Sequence, residues 1–492
     1  MRKTIIGLVA LTGCLGAPGY RAPEVHVNAA YTIARPAPAE KTPVDTCDAD
    51  SVGRSNRASG GAVHFRSTLP SMPFWRGFGD STLTSLVEEA LRANTDVRLA
   101  EARLTSSRAS RRLAALDLVP TITASGSATR QQLSTAQIPG GGITSRLPEQ
   151  ELWDVGFDAA WELDIFGRVN RTVRAQSALV TSAEHGLQDV QVSVAAEVAR
   201  IYFELRGAQQ QLAVARRNAD NQRRTVALTE SRLAAGRGTA FDTERAKSVL
   251  YLTLAATPGI EARIAAARNR IAGLLGRTPD ALPGALSEEG MLPALPDTVN
   301  VGSPEQLVRH RPDVLRAERR LAAQDMLVGA ARAEYLPRIT LGARAGYAAT
   351  SFDSLTRAGT SRLLVGPVVS WPLFDLGRVK QRVNLAHAYQ EGAQAEYTAT
   401  VLRAVAESET ALVAYDRAHA RLAILDQAVR ASERAAELSQ QRFEAGLTDF
   451  LQVLDAQRTV LDAENQLAAG HTEAATALVA VYKAVGGTWP TR

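Results

Sequence analysis

Cysteine is nearly absent from this chain: its 492 residues include two, Cys14 and Cys47, too few for a disulfide framework or a cysteine-rich metal site. Aromatic residues make up 5%, which suits close helix packing better than cores filled by large rings. No apolar run approaches the roughly 18 residues of a membrane-spanning helix, so a bilayer would be met by a lipid or by strands. An excess of one charge is also lacking. The formal charge of +5 loses two units if Arg2 and Lys3 leave with a leader, and the rest is spread along helical segments. That is no nucleic-acid footprint, and no nucleic-acid partner is expected. Phosphate loops, His-Glu-x-x-His and paired cysteines are missing, and the seven histidines are scattered. Catalysis therefore has little support, and no cofactor is expected.

What is present is said twice. Gly167-Arg168-Val169 follows Trp161 as Gly377-Arg378-Val379 follows Trp371, and Arg232-Leu-Ala-Ala-Gly236 returns as Arg442-Phe-Glu-Ala-Gly446. Upstream, Asp96-Val97, Glu101 and Pro120 match Asp313-Val314, Glu318 and Pro337 at a constant offset of 217. A duplication with fixed spacing implies two copies of one structural unit. The boundaries read as 1–13 for a signal peptide, 14–70 for a tether rich in Pro, Ala, Gly and Ser, 71–280 for the first repeat, 281–302 for a linker and 303–487 for the second repeat.

At the start, Met1-Arg2-Lys3 is a basic region, Ile5 to Leu11 is apolar, and Leu11-Thr12-Gly13-Cys14 resembles a bacterial lipobox. It implies cleavage after Gly13 and lipid on Cys14. Leu15, not aspartate, follows, which in this lipoprotein class implies the outer membrane. Beyond the tether, Leu83, Leu86, Val87, Ala90 and Leu91 share a helical face, and the pattern runs on to Leu118 before Pro120. Ser81 reads as its N-cap.

The period then changes to two. Strands are expected at about 120–130, 152–166, 337–348 and 362–375. In the second, Trp153, Val155, Phe157, Ala159, Trp161, Leu163 and Ile165 face one way, and Asp154, Asp158, Glu162 and Asp164 the other. Strands of about 10 residues, apolar on one side and charged on the other, are what a transmembrane β-barrel uses, although a half-buried soluble sheet alternates too. Trp161, Phe166, Trp371 and Phe374 lean toward an interfacial girdle. After Gly167 and again after Gly377 an apolar seam steps by three or four for nearly 70 residues, about 100 Å of helix. Breaks fall at Gly236 and Gly446. Return arms follow, the first with a kink expected at Pro258-Gly259. Four strands cannot close on themselves in lipid, so the strand reading requires an oligomer.

One enzymatic pattern competes. Gly79-Asp80-Ser81-Thr82-Leu83 looks like the nucleophile block of Gly-Asp-Ser-Leu esterases, with Asp416 and His419 as its later Asp-x-x-His. The alternating β and α elements that would bring these together are not in the pattern.

Cys14 with Gly19-Tyr20-Arg21-Ala22-Pro23, Phe74 to Leu86, Asn94-Thr95-Asp96-Val97, Trp161 to Arg168, Arg311-Pro312-Asp313-Val314 and Leu454-Asp455-Ala456-Gln457-Arg458 together resemble the TolC-like outer-membrane factors. The lipoprotein branch serving resistance-nodulation-division drug pumps is the nearest. The resemblance implies a mainly α chain with a membrane β part: a long periplasmic α-barrel continuous with a β-barrel of four strands per chain, twelve in a homotrimer. It implies an outer-membrane exit duct for drugs or other small molecules, with a periplasmic adaptor, an inner-membrane pump and outer-membrane lipids as partners, and no catalysis. It further implies a periplasmic gate at Asp455, Arg458, Leu451, Phe443 and Asp242, and adaptor contact at the hairpin tips Gly236, Gly446 and Leu447. Phe443 stands where the family often has tyrosine, and Gln452 where some members have aspartate. A type I protein-secretion duct and a non-channel periplasmic coiled-coil scaffold are the alternatives.

Overall fold

The structure, a computed structural model, describes residues 63–68, 73–132, 149–282, 284–286, 290 and 292–487, with residues 27–34 and positions 20, 23 and 25 near the N-terminus. Cys14 and Cys47 lie outside the described residues. The chain divides into two compact units, and each draws on both sequence repeats. One comprises Arg103–Glu184, Arg316–Thr398 and the first 24 residues; the other comprises Val25–Ala102, His185–Leu315 and Ala399–Arg492.

The first unit carries a four-stranded antiparallel sheet: β2 (Thr121–Gln131), β3 (Gln150–Glu162), β5 (Arg338–Ala349) and β6 (Ser361–Ser370), in the order β2-β3-β5-β6. Among the described residues both outer strands keep one edge unpaired. The register places Val155 beside Tyr347 and Phe157 beside Ala345 on one face, and Asp158 beside Arg344 on the other. The apolar face is bare: Phe157 is 63% exposed, and Ile122, Leu363, Val365 and Val369 are likewise exposed. A sheet that leaves such side chains uncovered is built for contact with lipid or another apolar surface.

On the opposite face the charges interlock. Asp158 accepts from Arg344 Nε and Ser125 Oγ, each at 2.6 Å. Asp154 accepts from Arg362, and Glu162 takes both nitrogens of the Arg168 fork at 3.0 and 2.7 Å. β3 stops at Glu162, earlier than expected. Leu163 N still bonds Ile339 O at 2.8 Å, the chain turns at Ile165 and Phe166, and Asp164 leaves the charged face to cap the next helix, accepting from Val169 N at 3.0 Å and Asn170 N at 2.7 Å. The two expected girdle tryptophans take matching places: Trp161 Nε1 donates to Leu118 O at 2.9 Å, and Trp371 Nε1 to Tyr335 O at 3.1 Å. Phe374 is fully exposed.

Among its described residues the second unit has two strands, β1 (His64–Arg66) and β4 (Thr298–Asn300), which pair in parallel; its long elements are helices. The tether expected over 14–70 is thus ordered sheet at its end. The 81–118 pattern is two helices, α1 (Ser81–Ala93) and α2 (Thr95–Leu116). Asn94 breaks it because its side chain accepts from Asp96 N at 2.8 Å and Val97 N at 3.3 Å, capping α2. The cap of α1 is Asp80 rather than Ser81: its Oδ1 accepts from Thr82 N and Leu83 N.

The long helices are α3 (Arg168–Ala234) and α7 (Leu376–Glu444), which begin in the first unit and continue in the second. The return helices are α4 (Ala240–Leu274) and α8 (Phe450–Ala484). Pro258 does not interrupt α4. Two shorter helices, α5 (Pro304–His310) and α6 (Pro312–Ala333), repeat the α1–α2 pair. Leu83, Phe203, Leu205, Ile271, Leu275 and Leu478 are among the most deeply buried apolar residues of this unit.

Candidate functional site

The hairpin tips are built by short-range rules. After α3, Gly236 takes φ +69°, and Arg237 N donates back to Arg232 O at 2.8 Å. After α7, Gly446 takes φ +73°, and Leu447 N donates to Arg442 O at 2.8 Å. A left-handed residue closing the last turn is the Schellman ending that favours glycine. Thr239 then caps α4 and Asp449 caps α8. Leu447 is 71% exposed at its tip; the matching position of the first tip is Arg237.

Behind the second tip sits an apolar cluster of Ala246, Phe443, Phe450, Val453 and Leu454, with Val226 and Leu228 against it. Phe443 and Phe450 have ring centroids 5.3 Å apart, and the Arg232 guanidinium lies 4.1 Å from the Phe443 centroid. Leu451, Asp455 and Arg458, spaced by four and three, fall on the other side of α8 and are all exposed. Among the described residues no ion pair joins Asp455 to Arg458, so these charges do not neutralise one another along the helix.

The residues singled out from the sequence therefore separate into groups. Leu451, Asp455 and Arg458 form one exposed stripe. Phe443 is buried within the chain's own core, and Asp242 completes a capping box, accepting from the Thr239 hydroxyl at 2.6 Å. Their side chains are engaged in the core and in the cap rather than on the stripe. The esterase residues are not assembled either. Asp80 caps a helix and accepts from Tyr202 OH at 2.6 Å, while His419 Nε2 lies 3.5 Å from Asp297. Burial and the bond to Asp80 push the Tyr202 hydroxyl up to about 12, which keeps it a donor. Among the described residues no cluster of His, Cys, Asp or Glu could hold a metal.

One polar centre was missed. Arg311, buried where α5 passes into α6, donates Nε to Asp313 Oδ1 at 2.8 Å and a second nitrogen to Oδ2 at 3.0 Å. It also bonds the carbonyls of Ala404 and Ala484, at 3.2 and 2.9 Å, and the carboxylate of Glu407. The signal was available: an arginine just before a helix-opening proline, with an aspartate two residues on, has its fork placed to bridge.

Comparison with known proteins settles the family. The profile of outer membrane efflux proteins matches residues 86–277 and 303–487, the two repeats. The chain belongs to the outer membrane efflux protein family. This efflux protein is 30% identical to outer membrane protein OprJ of Pseudomonas aeruginosa, over 99% of its own length and 97% of that protein. It is 28% identical to the toluene efflux pump outer membrane protein TtgI of Pseudomonas putida, over 99% and 97%. Among solved structures, the outer-membrane channel OprN superposes with a TM-score of 0.84 at 37% identity, covering 97% of this chain and all of that one. VceC of Vibrio cholerae gives 0.77 at 27% identity, covering 85% and 99%. The efflux protein is thus an outer-membrane exit duct, with the family's helical periplasmic barrel joined to a β-barrel.

Proposed function

We propose that three copies of this chain close twelve strands into one barrel and conduct small organic molecules passively from a periplasmic adaptor and an inner-membrane pump of the resistance-nodulation-division type to the cell exterior. The observation that carries this reading is the four-stranded sheet with an exposed apolar face, an interlocked charged face and unpaired edges at β2 and β6. An open edge is not tolerated in lipid, and three-fold repetition pairs every edge. Cys14 carries the lipid that holds the N-terminus at the outer membrane. The tips at Gly236, Gly446 and Leu447 meet the adaptor, with Leu447 as the apolar contact. The names of relatives, which include toluene efflux and pyoverdine export proteins, fit a permissive duct.

The stripe of Leu451, Asp455 and Arg458 is the periplasmic gate, Leu451 as an apolar ring and the two charges as links between neighbouring copies. Phe443 and Asp242 support it from behind, by packing and by capping. Single-channel recording of the purified protein in a planar bilayer tests the assignment. Small openings that enlarge in Asp455→Ala plus Arg458→Ala are expected. Large, equal conductance in both would keep the duct and remove these residues from its gate, and silence in both would favour a non-channel scaffold. Palmitate labelling lost in Cys14→Ala, with conductance retained, is the outcome expected for the anchor.

A further inference from the structure

The charged face of the sheet is not charged throughout. On β2 it presents Thr121, Thr123, Ser125, Ser127 and Thr129, and on β3 Asp154, Asp158 and Glu162. On β5 it presents Arg338, Thr340 and Arg344. On β6 the same face carries Arg362 and then Leu364, Gly366 and Val368, set across from Arg344, Gly342 and Thr340. Alternation fails on this strand, for Leu363, Val365 and Val369 on its other face are apolar as well. Among the described residues nothing covers the exception: Leu364 is 69% and Val368 61% exposed. Between them Gly366 and its partner Gly342 leave bare backbone, and a Cβ at Gly366 would meet no atom within 4 Å. Two aliphatic side chains thus flank a shallow glycine-floored recess.

The surrounding charges decide what could settle there. Asp154, Asp158 and Glu162 are opposed by Arg338, Arg344 and Arg362, with Arg362 on Asp154, Arg344 on Asp158 at 2.6 Å and Arg338 3.5 Å from Glu162. Opposed in this way, with Arg168 also held by Glu162, these charges leave little net field to favour cations or anions. What β6 adds to this wall is exposed apolar surface.

We infer that Leu364, Gly366 and Val368 form an apolar track inside the barrel that retains solutes carrying an exposed aromatic or aliphatic surface, whatever the sign of their charge. The inference rests on the barrel reading, which makes the charged face the lumen. Contacts with two partly exposed aliphatic side chains are weak singly, so they slow passage without trapping the solute. Three copies of the track would line the pore wall.

The test uses the full protein in a planar bilayer, with probes added on the extracellular side so that they reach the barrel before the periplasmic mouth. Matched ions separate apolar contact from charge: benzyltriethylammonium against tetraethylammonium, and naphthalenesulfonate against methanesulfonate. Both aromatic ions should produce brief blockades that their aliphatic counterparts do not, and Leu364→Thr plus Val368→Thr should shorten them about five- to tenfold, with conductance in potassium chloride unchanged. Ser125→Ala, on the hydroxyl stripe, should leave the blockades as they were. If the double variant does not insert, Leu364→Thr alone carries the test, with an expected shortening of about threefold. Blockades unaltered by the substitutions, or blockades by one charge sign only, would overturn the track while leaving the barrel intact. Absence of any conductance in the unaltered protein would remove the barrel and the track together.

Discussion

The same joint is made twice in this molecule with different chemistry. In the first repeat, Asn94 separates α1 from α2, and its Nδ2 donates to Leu274 O, at the end of the return helix α4, at 3.0 Å. In the second, Arg311 separates α5 from α6 and donates to Ala484 O, at the end of the return helix α8, at 2.9 Å. Backbone geometry agrees as well: Asn94 N bonds Ala90 O at 2.8 Å, and Arg311 N bonds Leu307 O at 2.9 Å. Asn94 caps the following helix with its own side chain, whereas at the second joint Asp313 accepts from Val314 N at 2.9 Å and from the arginine together. The arginine's longer reach adds the Ala404 carbonyl and Glu407, so the second joint also fastens the long helix α7. Duplication kept a helix break pinned to the end of the return arm, and the side chain was free to change as long as it delivered a donor there.

That comparison is broken most severely by Arg311→Met. Removing one partner from a buried ionic cluster leaves carboxylates and carbonyls unsatisfied, a loss on the order of 3–5 kcal/mol. Thermal melting of the detergent-purified protein, followed by its helical circular dichroism, should show the largest fall in Tm for this change. Asn94→Ala removes a cap and one buried hydrogen bond, about 1–2 kcal/mol, and should shift the melt less. Equal shifts would mean that the extra bonds to α7 contribute nothing.

A smaller effect separates the return helices. His471 on α8 corresponds to Glu261 on α4, at the 210-residue offset of the downstream motifs. Burial holds His471 below its ordinary value of 6.5, against a weaker opposite pull from Asp426, while Glu261 is exposed and pairs with Arg216 at 3.3 Å. A histidine with a lowered folded value binds fewer protons than in the unfolded chain. Its contribution is therefore complete above about pH 6.5 and declines as pH falls below it. Tm measured between pH 7.5 and 5 should drop slightly less in His471→Gln than in the unaltered protein; an identical pH dependence would remove this histidine from the account.

Much of the architecture was legible because it rests on periodicity. Two long seams, four strands and left-handed glycines after Arg232 and Arg442 follow from spacing, whereas Leu451, Asp455 and Arg458 were singled out by the family resemblance and share a stripe because they are four and three residues apart. What escaped depends on which of several competent neighbours wins. Asp80 and Ser81 can both cap a helix, and the carboxylate took the role because its two oxygens serve Leu83 N and the Tyr202 hydroxyl together. Asn94 lies within a continuing amphipathic pattern, so only its own side-chain bonds reveal the break. Leu163 and Ile165 continue the alternation of β3, yet Asp164 turns the chain to cap α3. Phe443 could not be placed by position, since a ring near a tip faces inward only when partners such as Phe450 and Arg232 are there to receive it.

The unpaired edges of β2 and β6 carry a genetic consequence. In the proposed trimer the sheet is completed by copies of itself, so a chain has no barrel of its own to fall back on and one defective subunit spoils the pore it joins. In a cell expressing equal amounts of functional and gate-locked chains that assemble at random in threes, only about one barrel in eight is built wholly of functional copies. Loss-of-function alleles that still pair their strands should therefore be dominant, and those that lose the sheet recessive.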